Sequence, residues 1–120
     1  MPSSSSRLWL EIEPVGDVTV VRFTIPWILK EGTIEAIGEA LSDLAEQPGC
    51  RKFVLDFHNV RSLASSMFGN LVALHRKVEA GGGRLVLCRV DPGLREVFDR
   101  LNLSPLLTIR GDEQEALQSF

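Results

Sequence analysis

Two adjacent serines, Ser65 and Ser66, lie between the strand-like run Leu55-Asp56-Phe57 and a stretch with helical periodicity. A hydroxyl in the first turn of a helix, reached through an exposed loop, is accessible to a kinase. The partial positive charge of the helix end favours the added phosphate. A second role competes at the same place, since Ser65 also suits a plain N-cap. Asp56 and Asp91 follow strand-like runs and could share the C-terminal sheet edge where α/β proteins bind ligands, although turn and cap roles also account for them. Cys50, His58, His75 and Cys88 are numerically enough for a zinc site, but their spacing contains no short paired ligand motif. His58 and His75 read as solvent or rim histidines, because no nucleophile–base–orienter set accompanies them. Gly81-Gly82-Gly83 follows a helix and precedes a strand, the reverse of a phosphate-binding loop, and reads as a helix stop. Nucleotide-loop, nucleophile-elbow and zinc-protease motifs are missing, so no catalytic residue, metal ligand or cofactor is assigned.

The elements that must position the serines follow from periodicity. Leu8–Glu13 alternates apolar and polar apart from Trp9, Pro14–Asp17 reads as a turn, and Val18–Phe23 is a β-branched partner strand. Pro26 breaks that strand. Trp27-Ile28-Leu29 is an apolar patch that either folds into the core or offers an association surface. Ile34, Ile37, Leu41 and Leu44 predict a helix over Thr33–Gln47, with Thr33 as N-cap and Pro48-Gly49 as its stop. Phe53–Phe57 and Leu85–Cys88 are apolar runs of the kind buried on both faces of a parallel sheet. Met67, Leu71, Leu74 and Val78 stripe a helix over Ser65–Ala80. Asp91 and Pro92 open a helix lined by Leu94, Val97, Phe98 and Leu101, with Asn102 as a left-handed end. Leu106–Ile109 predicts a short strand, and Asp112 with Glu115 a capping pattern for a final helix.

The order β-β-α-β-α-β-α-β-α predicts a single-domain α/β fold. Its mixed sheet is mostly parallel with an antiparallel edge strand, and it carries about four helices. The 120 residues suit one core: about two thirds of the chain's surface would be buried on folding. Residues 1–7 read as a disordered, serine-rich tail and 8–120 as the domain. Thirteen basic and sixteen acidic side chains give a net charge of −3, which argues against a nucleic-acid partner. Apolar runs such as Leu85–Cys88 fall far short of the roughly 20 residues of a membrane span. With no secretory leader and only two cysteines, a cytoplasmic setting is expected.

Leu55-Asp56-Phe57, Ala64-Ser65-Ser66, Gly82-Gly83-Arg84-Leu85-Val86-Leu87 and Val97–Leu103 occur in an order that resembles the STAS domains of anti-sigma factor antagonists. The resemblance spans roughly residues 17–117. It implies a STAS-like fold and a regulatory, non-enzymatic domain that binds a serine kinase/anti-sigma factor. It also implies that the second serine, Ser66, is the phospho-acceptor, Ser65 being the lesser candidate, and that a phosphatase resets the cycle. Asp56 matches the family's strand-end acid, and Asp56, Ser65, Ser66 and Met67 become the implied partner-binding residues. Ala64 stands where the family has an acid, and Met67 where it has glycine. Two alternatives stay open: a scaffold subunit of a signalling complex without phospho-switching, and a small-molecule or nucleotide binder near Asp56, Ser65 and Asp91. The expected solution state is a monomer or weak homo-oligomer.

Overall fold

A computed structural model describes residues 9–120; the tail read over residues 1–7, and Leu8 of the first predicted strand, lie outside the described residues. β1 (Leu10–Val15) and β2 (Val18–Phe23) pair as the expected antiparallel hairpin around Gly16, whose φ of 61° is left-handed. β3 (Trp27–Ile28) then leads into α1 (Glu31–Glu46), and β4 (Lys52–Asp56) is followed by β5 (Ser62–Leu63) and α2 (Ser65–Ala80). β6 (Arg84–Cys88), α3 (Pro92–Arg100), β7 (Thr108–Arg110) and α4 (Glu113–Leu117) complete the chain.

The main sheet has the order β1-β2-β4-β6-β7, parallel except at its β1 edge. Alternation divides its side chains between two layers. Phe23, Phe53, Leu55, Leu85 and Leu87 join α1, α2 and α3 in the larger core. Val18, Val20, Val54, Val86 and Cys88 form a smaller layer under Ala116 of α4. Rings cross the larger core in a chain, with Phe23–Phe57 centroids 4.8 Å apart, Phe57–Phe98 6.5 Å and Phe68–Phe98 5.1 Å.

Several boundaries differ from the sequence expectation. The first strand begins at Leu10 and retains Pro14, which an edge strand tolerates because its missing N–H faces no neighbour. α1 starts at Glu31 rather than after Thr33: Lys30 is its N-cap, without a side-chain cap, and the Ile34 amide donates to the Lys30 carbonyl at 2.9 Å. Leu106 and Leu107 belong to the turn before β7, and Leu101 is exposed rather than lining the core. Asn102 does take the left-handed end of α3, with φ 57°.

Glu31, Glu35, Glu39 and Asp43 recur every fourth residue along the exposed side of α1. Each like-charge pair at this spacing destabilises a helix by ~0.2–0.5 kcal/mol. Glu46 is held by Lys77 of α2 at 2.7 Å, while the other four carboxylates carry no ion pair among the described residues. α1 has no basic residue of its own in its last turn, so Lys77 of α2 is the cation that meets the negative end of its dipole.

The glycine run after α2 is a packing requirement as well as a stop. A Cβ on Gly83 would lie 2.1 Å from the Arg51 carbonyl oxygen, which accepts the Arg84 amide at 2.7 Å to start the β4–β6 pairing. The obstacle is backbone, so little can yield. Gly83→Ala should lower stability by about 2–3 kcal/mol in urea unfolding. Gly32→Ala, which meets open space in the first turn of α1, is the matched control and should not destabilise. Equal stabilities for the two variants would refute this account.

Candidate functional site

The start of α2 is set by a short parallel pair that sequence periodicity does not reveal. β3 aligns Trp27 with Ser62 and Ile28 with Leu63. Amide hydrogens of Arg61 and Ser62 donate to the Pro26 carbonyl at 2.7 and 3.2 Å, and that of Ala64 to Ile28 at 2.9 Å. These bonds fix the chain immediately before the serines. Ser65 is the first helical residue, and Ala64 is the N-cap with no side-chain hydrogen bond. The N-cap role considered for Ser65 is therefore not realised. Neither serine hydroxyl has a hydrogen-bond partner among the described residues, both serines are exposed, and the first turn of α2 contains no acid. The helix end thus presents uncapped amides and two open hydroxyls with no negative charge of its own.

Ser66 lies one turn before Asn70, whose amide donates to the Ile34 carbonyl of α1 at 3.2 Å, so it sits on the α1 side of its helix. The neighbouring corner is apolar. Ile28 is fully buried, but Trp27 is 64% exposed and Leu29 52%. The patch Trp27-Ile28-Leu29 is therefore divided: its centre joins the core while its two flanks face outward beside β5.

Asp56 and Met67 occupy different surroundings. Met67 is 0% exposed and packs in the larger core, so its side chain fills interior space. Asp56 is 1% exposed at the end of β4 and shares the sheet face covered by α4. It accepts the His58 amide at 2.9 Å and binds Arg89 through Nε at 3.1 Å and Nη2 at 2.5 Å. Neither side chain presents surface to a partner; Asp56 instead orders the turn that leads from β4 toward β5. Arg89 is itself left-handed, with φ 53°, a strained conformation for a non-glycine residue.

The Asp56–Arg89 pair extends outward. Arg89 also meets Glu113 of α4 at 3.5 Å, and Glu113 takes a two-pronged bond from Arg22, at 2.7 and 2.9 Å. Arg22 reaches Glu13 of β1 at 2.7 Å as well. Five charges from β1, β2, β4, the end of β6 and α4 are thereby tied together. Hydrogen bonding from Arg22 holds the Glu113 carboxyl down to about 2. Burial pushes the Asp56 carboxyl up, against the pull of Arg89.

The two acids contribute to stability with opposite signs. A depressed Glu113 stabilises the fold above its ordinary value of 4.5, and that contribution is lost as pH falls from 4.5 towards 2. Asp56, raised above 3.8, binds its proton more tightly when folded, so its protonation favours the fold as pH falls. Glu113→Gln should therefore remove about 2–3 kcal/mol of acid-dependent loss in urea titrations repeated across that range. An acid limb identical to wild type would refute it.

The remaining candidates are dispersed. Asp91 caps α3, accepting the Gly93 amide at 3.0 Å, and Arg61 approaches it at 3.7 Å. Asp56 and Asp91 are thus engaged by Arg89 and by the start of α3, while Ser65 is exposed. A shallow cleft of about 190 Å³ between Cys50, Arg51, Lys77 and Gly81 lies at the far end of α2 from Ser66. Cys50 precedes β4, whereas Cys88 ends β6 at the opposite edge of the sheet, where burial pushes its thiol up to about 12. His58 is exposed as expected. His75 is not a rim residue: it is 7% exposed, its Nδ1 has no partner among the described residues, and its Nε2 lies 3.5 Å from Glu79. Its place beside Leu74 on the buried side of α2 was legible only as a widening of the apolar stripe.

This arrangement has relatives. The STAS domain family model matches residues 10–116, and the chain belongs to that family. It is 24% identical over 111 residues to the anti-sigma F factor antagonist of Paenibacillus polymyxa, covering 92% of this chain and 93% of that one. An anti-sigma-factor antagonist (STAS) domain protein from Planctomyces limnophilus superposes with a TM-score of 0.80 at 23% identity, over 92% and 96% of the two chains. The Bacillus cell fate determinant SpoIIAA in its phosphorylated form matches with a TM-score of 0.69 at 25% identity, over 91% and 96%.

Proposed function

We propose that this chain is a non-enzymatic switch that binds a serine kinase/anti-sigma factor through the start of α2 and is released when Ser66 is phosphorylated. The observation that carries this reading is the exposed, unpartnered Ser66 hydroxyl at an uncapped helix end, flanked by the outward Trp27 and Leu29. Support comes also from the relatives, which include an anti-sigma F factor antagonist and a phosphorylated cell fate determinant. The contact surface comprises Ser65 and Ser66, with Asp56 and Met67 supporting it from the interior. Ser66 is the acceptor and Ser65 the secondary one. A phosphatase restores the free hydroxyl, and the cycle runs in the cytoplasm.

The test is to incubate the protein with purified serine kinase/anti-sigma factors of its source cell and ATP, then locate the phosphate by intact-mass and peptide analysis. One phosphate on Ser66, absent from Ser66→Ala, is expected. Phosphate elsewhere, or equal incorporation into Ser66→Ala, defeats the assignment.

The exposed Trp27 and Leu29 also favour a scaffold reading, in which the same corner holds a permanent assembly. Light scattering separates the two, since a monodisperse monomer at high concentration counts against self-assembly through this corner.

A further inference from the structure

The outer face of α1 carries a charge pattern that works against the helix bearing it. Glu31, Glu35, Glu39 and Asp43 stack like charges at four-residue spacing; Glu31 suits the first turn, but Asp43 approaches the negative end of the helix dipole, where α1 has no base of its own and Lys77 of α2 is taken up by Ser42 and Glu46. Packing does not demand these acids, because all four are exposed and the helix is held by Ile34, Ile37 and Leu41 on its other side. α1 and α2 run side by side in the same direction, joined by Asn70 to Ile34 at one level and by Lys77 to Ser42 and Glu46 about two turns further along α2. The acidic row therefore begins level with the start of α2 and continues away from the exposed Trp27 and Leu29.

We infer that Trp27, Leu29 and this acidic face form one docking surface, and that its occupant is a Lys/Arg-bearing surface of the partner protein with an apolar anchor beside it. The inference rests on the switch reading above and adds the chemistry of the partner. Trp27 and Leu29 supply the desolvated contact. The carboxylates supply complementary charge, which steers encounter and fades with salt. Over its length α1 holds these acids and Glu46 but no basic side chain.

The test uses the triple variant Glu35→Gln, Glu39→Gln, Asp43→Asn and the purified kinase/anti-sigma factors, by titration calorimetry at low and high salt. The expected result is a Kd weakened about tenfold at low salt, with the difference closing at high salt as the charges are screened. The variant should also melt at or above the wild-type temperature, because three i,i+4 repulsions are gone. Unchanged affinity at low salt overturns the inference while leaving the switch reading intact. A lowered melting temperature also overturns it, since the acids would then serve the fold. If light scattering finds a wild-type dimer that the variant disperses, a second copy is the occupant and the basic partner is rejected. If no kinase binds the wild type at all, the switch reading itself has failed and this inference falls with it.

Discussion

Ser66→Asp is expected to weaken binding to the kinase/anti-sigma factor by at least about 100-fold, ~3 kcal/mol, while Ser66→Ala binds within a few-fold of wild type. A charge enclosed in an interface without a counter-ion costs several kcal/mol, because water no longer solvates it. In the free protein the same charge is favourable. The first turn of α2 has no acid, and Ala64 leaves its amides uncapped. An aspartate at Ser66 should therefore keep or raise stability by ~0.3–1 kcal/mol through the helix dipole. The combination is diagnostic: a variant at least as stable as wild type that no longer binds. Parallel titration calorimetry and thermal unfolding of both variants give the answer. If Ser66→Asp binds as tightly as wild type, phosphate at this position cannot be the release signal. If it fails to bind but is also unfolded, Ser66→Glu with a matched melting curve keeps the question decidable.

Arg89→Met should cost about 3–5 kcal/mol of stability, read as a lowered urea midpoint with an unchanged slope. Its guanidinium is the main counter-charge to Asp56, whose carboxylate would otherwise keep only the His58 amide in a site that water barely reaches. Removing both partners should be milder. Arg89→Met with Asp56→Asn leaves no buried charge and should recover most of the loss, the non-additivity expected of a paired network. Loss of Arg89 also frees Glu113 from one partner, but Arg22 still holds it, so α4 should remain docked at neutral pH. An Arg89→Met variant as stable as wild type would mean that Asp56 is already neutral in the fold and needs no partner. A double variant no more stable than Arg89→Met would place the loss in the left-handed backbone at Arg89 rather than in its charge.

Much of this molecule is legible in its residues, and the parts that are not share a cause. Helical spacing and apolar runs identify α1, α2, α3 and the central strands, because burial of one face imposes a period on the chain. Asp91, Pro92 and Asn102 mark the ends of α3 through chemistry confined to a few neighbouring residues. Two-residue β3 and β5 have no period to detect. They exist because Pro26 and Ile28 carbonyls meet amides more than thirty residues later. Spacing alone assigns Leu101 to the core, although the next turn carries the chain away and leaves it exposed.

For the candidate site the same division holds. The Ser65-Ser66 pair before an amphipathic run, within a family-like order of motifs, is a local pattern and was readable from the chain by itself. The apolar stripe turns Met67 inward already, but which of Asp56, Ser65 and Ser66 faces outward is not legible in it. Alternation places Asp56 on one sheet face, but only the packing of α4 and the reach of Arg89 close that face over it. Met67 is buried because the helix meets the sheet on that side, and Trp27 is exposed because β3 turns Ile28 inward instead. The identity of the longer elements, the hydroxyls and their charge-poor helix start are thus properties of sequence, since neighbours along the chain determine them. Surface and interior, and the apolar corner and acidic face that flank Ser66, belong to tertiary structure, because exposure depends on what distant segments cover.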